Sequence, residues 1–193
     1  MNHLLLASIT TFAFFLFNTF SGTTHNNTQP KAATTQQPQG TAQTDLVRWY
    51  TWEQVAELQK KEKRKVFVDV YTGWCGWCKR MDATTFNNPA VAKILNQNYY
   101  AVKLDAEQKA DILFQDHVFK YQKTGNAGYN ELATSLLDNK MSFPTVVFLD
   151  EDYKMIQTLP GYQETDFFKK VARYFGENFY KNTKWEDYQK TNG

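Results

Sequence analysis

The chain has 193 residues, a formal charge of +2, 22% charged residues, two cysteines and three histidines. The near balance of 22 Lys+Arg against 20 Asp+Glu offers no clustered basic face of the kind nucleic acid requires. Two cysteines cannot frame a small disulfide-rich scaffold, and no run of about 20 apolar residues makes a confident membrane span.

From Leu4 to Phe17 the chain is apolar except for Ser8, Thr10 and Thr11, a length that suits the hydrophobic region of an export signal better than a spanning helix. Residues 1–21 are therefore expected to be a signal peptide, with an uncleaved membrane anchor or a buried helix as alternatives. No cysteine follows the stretch, which excludes a lipid-anchored lipoprotein. Residues 22–45 are almost entirely Thr, Gln, Asn, Ala, Gly and Pro, too polar to offset the entropy of ordering, and are expected to form a disordered linker. Residues 46–193, about 150, suffice for one hydrophobic core.

Within that part, Thr51-Trp52-Glu53-Gln54 is a capping box, and Trp52, Val55, Ala56 and Leu58 give one helical face. The basic run from Lys60 to Lys65 is expected to be a solvated helix end. Val66-Phe67-Val68-Asp69-Val70-Tyr71 is a strand apolar on both sides, as a covered central strand should be, with an aspartate in its middle. Asn88 as cap and Pro89 as first residue open a short helix carrying Val91, Ile94 and Leu95, and a second strand runs from Tyr99 to Leu104. Helical spacing returns at Ile112, Leu113, Val118 and Phe119, and again at Leu132, Leu136 and Leu137, around a Gly/Asn-rich loop from Gly125 to Gly128. Pro144 precedes a strand through Leu149, the turn Asp150 to Tyr153 leads to a strand over Lys154 to Thr158, and Thr165 caps a helix through Phe175. Helices between strands imply a parallel pair joined by right-handed crossovers, and the closing hairpin makes the sheet mixed. The expectation is an α/β fold, a central mixed β-sheet flanked by helices.

The chemistry sits in Cys75-Gly76-Trp77-Cys78. Structural zinc needs four ligands, and the remaining soft or borderline candidates are His3 and His25, outside the domain, and His117. An iron–sulfur cluster lacks thiolates, and covalent haem attachment wants His where Lys79 stands. No metal and no cofactor is expected. A disulfide closing so short a loop stabilises by only about 2 kcal/mol, so redox exchange is the use that remains. Cys75 lies where strand meets helix, where backbone N–H groups and the helix dipole favour its thiolate, which makes it the attacking nucleophile. Cys78, one turn inside, is expected to be more buried and to resolve the mixed disulfide, with Asp69 taking its proton. The alternative for Asp69 is an edge-strand residue pointing to solvent.

Val66 to Lys79 resembles the thioredoxin superfamily, whose active site follows V-D-[FV]-x-x-x-W-C-G-x-C-K. The resemblance implies a thioredoxin fold, with Asp69 as the buried acid, Trp74 as the tryptophan before the nucleophile and Lys79 as the following basic residue. It further implies that Lys103 neighbours the acid, that Phe143-Pro144-Thr145 is a cis-proline loop pairing with extended substrate, and that Gly161 is the glycine after the hairpin. Asp69-Val70-Tyr71 through Cys78-Lys79 and Thr85 to Val91 is similar to the C-terminal domain of the bacterial transmembrane disulfide-interchange reductase and to related envelope thioredoxin-like proteins. Two departures stand out: Trp77 occupies the place of a proline inside the motif, and the segment before Pro144 is longer by about 25 residues, read as an extra helical segment.

Trp74 and Trp77 flank the thiol on a loop that should be exposed, and form an apolar rim for substrate polypeptide. His117 is expected to be an ordinary helix-surface histidine. Phe179, Tyr180, Trp185 and Tyr188 are expected to pack back on the core. The expected function is thiol:disulfide exchange with protein substrates in the periplasm or cell envelope, more as reductase than oxidant, fed by a membrane redox partner and without nucleic acid. Two alternatives are a thioredoxin-fold binding or chaperone module and a dedicated electron relay between redox proteins.

Overall fold

In the computed structural model the described residues are 46–125 and 127–191. The signal and linker expected over residues 1–45 lie outside them. Two residues, Trp49–Tyr50, form β1, and the predicted capping box at Thr51 and Gln54 opens α1, Trp52–Lys61. The central strand β2 is Lys65–Tyr71, followed by α2, Gly76–Ala83, and α3, Pro89–Asn98, with Asn88 capping and Pro89 first as expected. Strand β3 is Tyr99–Asp105.

Here the structure departs from the sequence reading. The helical spacing at 112–119 is a hairpin of β4, Ile112–Phe114, and β5, His117–Phe119. A second hairpin follows, β6, Tyr121–Thr124, and β7, Ala127–Asn130, and among the described residues of the long segment before Pro144 only α4, Glu131–Leu136, is helical. Gln115 and Asp116, the two residues joining β4 to β5, both have positive φ (51° and 59°), the backbone a tight hairpin turn demands. His117 is therefore on a strand, exposed, with its ring 4.5 Å from that of Phe119.

The chain closes with β8, Thr145–Leu149, β9, Met155–Pro160, α5, Thr165–Gly176, a 3-10 turn at Phe179–Lys181, and α6, Trp185–Thr191. Thr165 is the first residue of α5 rather than its cap; Glu164 holds the cap position without a side-chain bond. The basic run also splits. Lys60 and Lys61 end α1, whereas Lys65 is buried in β2 and ion-paired with Glu151 at 2.8 Å.

The main sheet has the order β1-β3-β2-β8-β9, with β2 parallel to β3 and antiparallel to β8. Alternation along β2 sends Val66, Val68 and Val70 to one face, where α1, the first hairpin and α4 cover them through Trp52, Ile112, Phe114 and Leu132. Phe67 turns to the other face, where Met81, Leu95 and Phe168 from α2, α3 and α5 close a second core. Phe67 and Phe148 are fully buried and their rings lie 5.4 Å apart, each contributing roughly 1.5–3 kcal/mol of hydrophobic stabilisation. Asp69 follows Phe67 on that same face, directly opposite Lys103 on β3. The terminal aromatics pack back as expected: Tyr188 is fully buried, and its ring lies 5.0 Å from that of Tyr174. No helix among the described residues is long and apolar enough to cross a membrane.

Candidate functional site: a disulfide at a helix N-terminus above a buried carboxyl

Strand β2 ends at Tyr71 and the chain turns through Thr72, whose carbonyl accepts from the Cys75 N–H at 3.1 Å. That turn places Cys75 at the N-cap of α2, with its sulfur accepting from the Cys78 N–H at 3.0 Å. Cys75 and Cys78 are joined as a disulfide. The sulfur thus faces the unpaired amides of the first helical turn, where negative charge is stabilised. The expected contrast in burial between the two cysteines is not present: both are 4% exposed. Their chain neighbours Gly73, Trp74, Gly76 and Trp77 are all exposed, so the disulfide lies one layer below the surface. Lys79, on the first turn, is exposed.

Beneath this turn Asp69 is 2% exposed on the central strand, which overturns the edge-strand alternative. Its Oδ2 is 3.2 Å from Lys103 Nζ, and its Oδ1 has no hydrogen-bond partner among the described residues. Lys103 reaches on to Asp82, an α2 residue that stands partly in solvent. Desolvation raises the Asp69 carboxyl to about 6; Lys103 pulls it down and the Asp82 charge pushes it up, but burial dominates. Burial opposes the charge on Lys103, yet Asp69 and Asp82 more than offset it and hold the ammonium above its ordinary value. The rings of Tyr71 and Trp49, at 5.0 and 5.2 Å from Nζ, add their faces to that cation.

Above the disulfide the two tryptophans are exposed, Trp74 at 65% and Trp77 at 60%, and each is fixed by neighbours. Trp74 donates from Nε1 to Glu107 at 3.0 Å and meets the Phe143 ring edge-on at 6.1 Å, with Tyr129 of the second hairpin behind Phe143 at 6.0 Å. Trp77 lies 5.5 Å from the Tyr162 ring. The peptide bond between Phe143 and Pro144 is cis. Gly161 donates to the Pro144 carbonyl at 2.7 Å with φ +85°, a conformation that favours glycine.

The structure therefore sets Trp74 and Trp77 beside the Cys75–Cys78 disulfide, and links Asp69 and Lys103 to the same helix through Asp82. Asp82, Glu107, Tyr129 and Tyr162 were not anticipated. Asp82 had a signal in its place one helical turn after Cys78, and Tyr162 in following Gly161; Glu107 and Tyr129 come from loop and hairpin geometry that spacing does not encode. His117 belongs to the first hairpin, whose Phe114 packs against the opposite core. Among the described residues no cluster of His, Cys, Asp and Glu is placed to hold a metal ion. A groove of about 620 Å³ lined by Ile156, Phe167 and Trp185 shares no residue with this site.

This chain is 36% identical over 84 residues to an uncharacterised protein of Caenorhabditis elegans, B0495.5, a match covering 43% of this chain and 12% of that one. It is 40% identical over 62 residues to the thiol:disulfide interchange protein DsbD of Vibrio vulnificus, covering 29% of this chain and 10% of that one. The chain thus spans about a tenth of the length of either relative. Among solved structures, a thioredoxin-fold protein from Helicobacter pylori superposes with a TM-score of 0.52 at 20% identity, covering 67% of this chain and 80% of that chain. The fold is thus a thioredoxin fold bearing a Cys-x-x-Cys disulfide, as the resemblance implies. The sequence profile of the family Thioredox_DsbH, described as a protein of unknown function, DUF255, matches residues 37–182, most of the chain, and the protein belongs to that family.

Proposed function

We propose that this protein is a thiol:disulfide oxidoreductase of the cell envelope that reduces disulfides in protein substrates. The observation that carries the reading is the Cys75–Cys78 disulfide at the N-terminus of α2 with the buried Asp69 carboxyl below it. In the reduced protein the Cys75 thiolate attacks one sulfur of a substrate disulfide; the S–S bond breaks, a substrate thiolate leaves, and a mixed disulfide forms. Cys78 gives its proton to Asp69 and its thiolate attacks the Cys75 sulfur, releasing the second substrate thiolate and closing the Cys75–Cys78 disulfide. Two electrons pass to the substrate, and a membrane redox partner with a dithiol of its own returns them. The Pro144 carbonyl is taken by Gly161, so the neighbouring backbone of Phe143, whose ring meets Trp74, is the edge on which an extended substrate would lie. The apolar stretch Leu4 to Phe17 and the likeness to an interchange protein support the envelope location.

Insulin reduction with a dithiol as electron donor tests the reading. Cys75→Ser is expected to abolish turnover, and Cys78→Ser to arrest at a mixed disulfide visible by non-reducing electrophoresis. Wild-type turnover in Cys75→Ser overturns it. The exposed Trp74 and Trp77 favour a second reading, a module that holds extended segments without exchange, and that reading predicts full cellular function in the double cysteine variant.

A further inference from the structure

We infer that the Trp77 wall of this site is a subsite for an acidic side chain of the substrate polypeptide, with the Arg80 guanidinium as its anchor. The inference rests on the proposed function for what occupies the site, and on the charge and packing of the wall for its specificity.

Trp77 and Arg80 are three residues apart on α2 and therefore share a face. The Arg80 guanidinium carbon lies 5.8 Å from the centre of the Trp77 ring and 5.9 Å from that of Tyr162. Tyr162 is itself tied down, its hydroxyl 2.9 Å from Thr84 Oγ1 at the end of the same helix. Arg80 thus rests over two rings that cannot easily move apart. Stacking of this sort uses the face of the guanidinium and leaves its fork of N–H donors free for a carboxylate. Among the described residues none of the ion pairs involves Arg80, whereas Arg64 and Arg173 each reach a neighbouring carboxylate, Glu62 and Glu177. The nearby acid on the helix, Asp82, is engaged by Lys103.

Charge on the two sides of the disulfide is unequal. On the Trp77 side stands the Arg80 guanidinium. On the Trp74 side the indole is held by the Glu107 carboxylate. An extended segment crossing the disulfide therefore meets a cation at one wall and an anion at the other. The occupant that fits is a segment whose residues beside its cysteine are apolar, to cover Trp77 and Tyr162, with an Asp or Glu reaching Arg80. A uniformly basic segment would meet like charge on the Trp77 side.

The test uses three fluorescent peptides of one apolar sequence with Ser in place of Cys, flanked by Asp, by Asn or by Lys, titrated with the full oxidised chain and followed by anisotropy. The acidic peptide is expected to bind about tenfold tighter than the basic one at low salt, the equivalent of about 1.4 kcal/mol, with most of the gap closing at 0.5 M salt. Arg80→Gln should reduce the preference to about twofold, and Arg80→Lys should keep part of it, because charge survives while the planar stack is lost. Equal affinities in the wild type, no detectable binding of any peptide at 1 mM, or an undiminished preference in a folded Arg80→Gln overturns the inference. Because these peptides carry no sulfur, a failure of the exchange reading appears separately, as a wild type that does not reduce insulin.

Discussion

Asp69 is a carboxyl held where its charge is costly. With its folded value raised to about 6 against an ordinary value of 3.8, the folded state keeps the proton at pH values where the unfolded chain has released it. The contribution of Asp69 to stability is therefore fully present below about pH 4, is lost as pH rises through about 6, and stays lost above. A shift of that size corresponds to about 3 kcal/mol at neutral pH. Asp69→Asn, which mimics the protonated carboxyl, should raise the stability of the oxidised protein by up to that amount at pH 7.5 and by little at pH 4. Urea unfolding at the two pH values measures it; equal midpoint differences at both would show that burial does not govern this group. The same variant should lose the rise in insulin reduction through pH 6 that the wild type owes to an ionised acceptor for the Cys78 proton. Asp69 was legible because a lone acid inside an apolar strand is an anomaly. Asp82 was legible only in part: its place one turn after Cys78 puts the two on one face of α2, but that this face meets Lys103 is decided by how the helix sits on the sheet. The burial of Cys75 is not legible for a related reason: a helix N-terminus explains charge stabilisation but says nothing about what covers the sulfur.

The long segment before Pro144 shows where hydrophobic spacing fails. Apolar residues at 112, 113, 118 and 119 satisfy a helical face, but β4 alternates, burying Ile112 and Phe114 while Leu113 is exposed at 53%. Two short strands and a two-residue turn give the same apolar positions as two helical turns, and Gln115-Asp116 lacks the Asn-Gly signature that marks such a turn. Gly128 makes room in the second hairpin for the Tyr121 ring, since a Cβ there would lie 2.1 Å from the Tyr121 hydroxyl and the ring would have to move. Beside the packing of Ile112 and Phe114, Asn130, fully buried, ties both hairpins in. Its Oδ1 caps α4 by accepting from the Leu132 N–H at 3.0 Å, and its amide shares protons among the carbonyls of Gln108, Ala110 and Phe119 at 3.4–3.5 Å. Asn130→Ala removes the cap and strands buried carbonyls, at a cost on the order of 2–3 kcal/mol. Hydrogen exchange should show protection falling over residues 106–119 and 131–137 while β2 and β8 keep theirs. Loss spread evenly over the sheet would mean that the hairpins and the sheet unfold as one unit.

At the scale of the whole molecule, the alternation of helix and strand from residue 51 to 105 was legible because each strand is a short, mostly apolar run that follows a capped helix. The edge strand β1 was not, since two aromatic residues before a capping box carry no periodicity. Its role emerges only from contacts. Asn96 of α3 accepts from the Arg48 N–H at 2.8 Å and donates to the Leu46 carbonyl at 2.9 Å, clamping the entering chain. Val47 is buried against the α2–α3–α5 face, and Trp49 lies 5.3 Å from Phe86 while its ring stands over Lys103. The cooperative unit should therefore begin near residue 46, with β1 part of the scaffold that holds the Asp69–Lys103 pair. A protein starting at Leu46 is expected to melt with the full chain, whereas one starting at Thr51 gives up the burial of Val47 and Trp49 and should lose about 3 kcal/mol. Removing Trp49 also opens the Asp69–Lys103 pair to water, which should lower the folded-state value of Asp69 and bring the upper end of its stability change down from about pH 6 towards that of an unburied carboxyl. Thermal and urea unfolding of the two truncations across pH 4 to 7.5 separates these effects. Identical melting of the Thr51 form and the full chain would place the N-terminal strand outside the cooperative fold and leave the buried acid dependent on β2 and β3 alone.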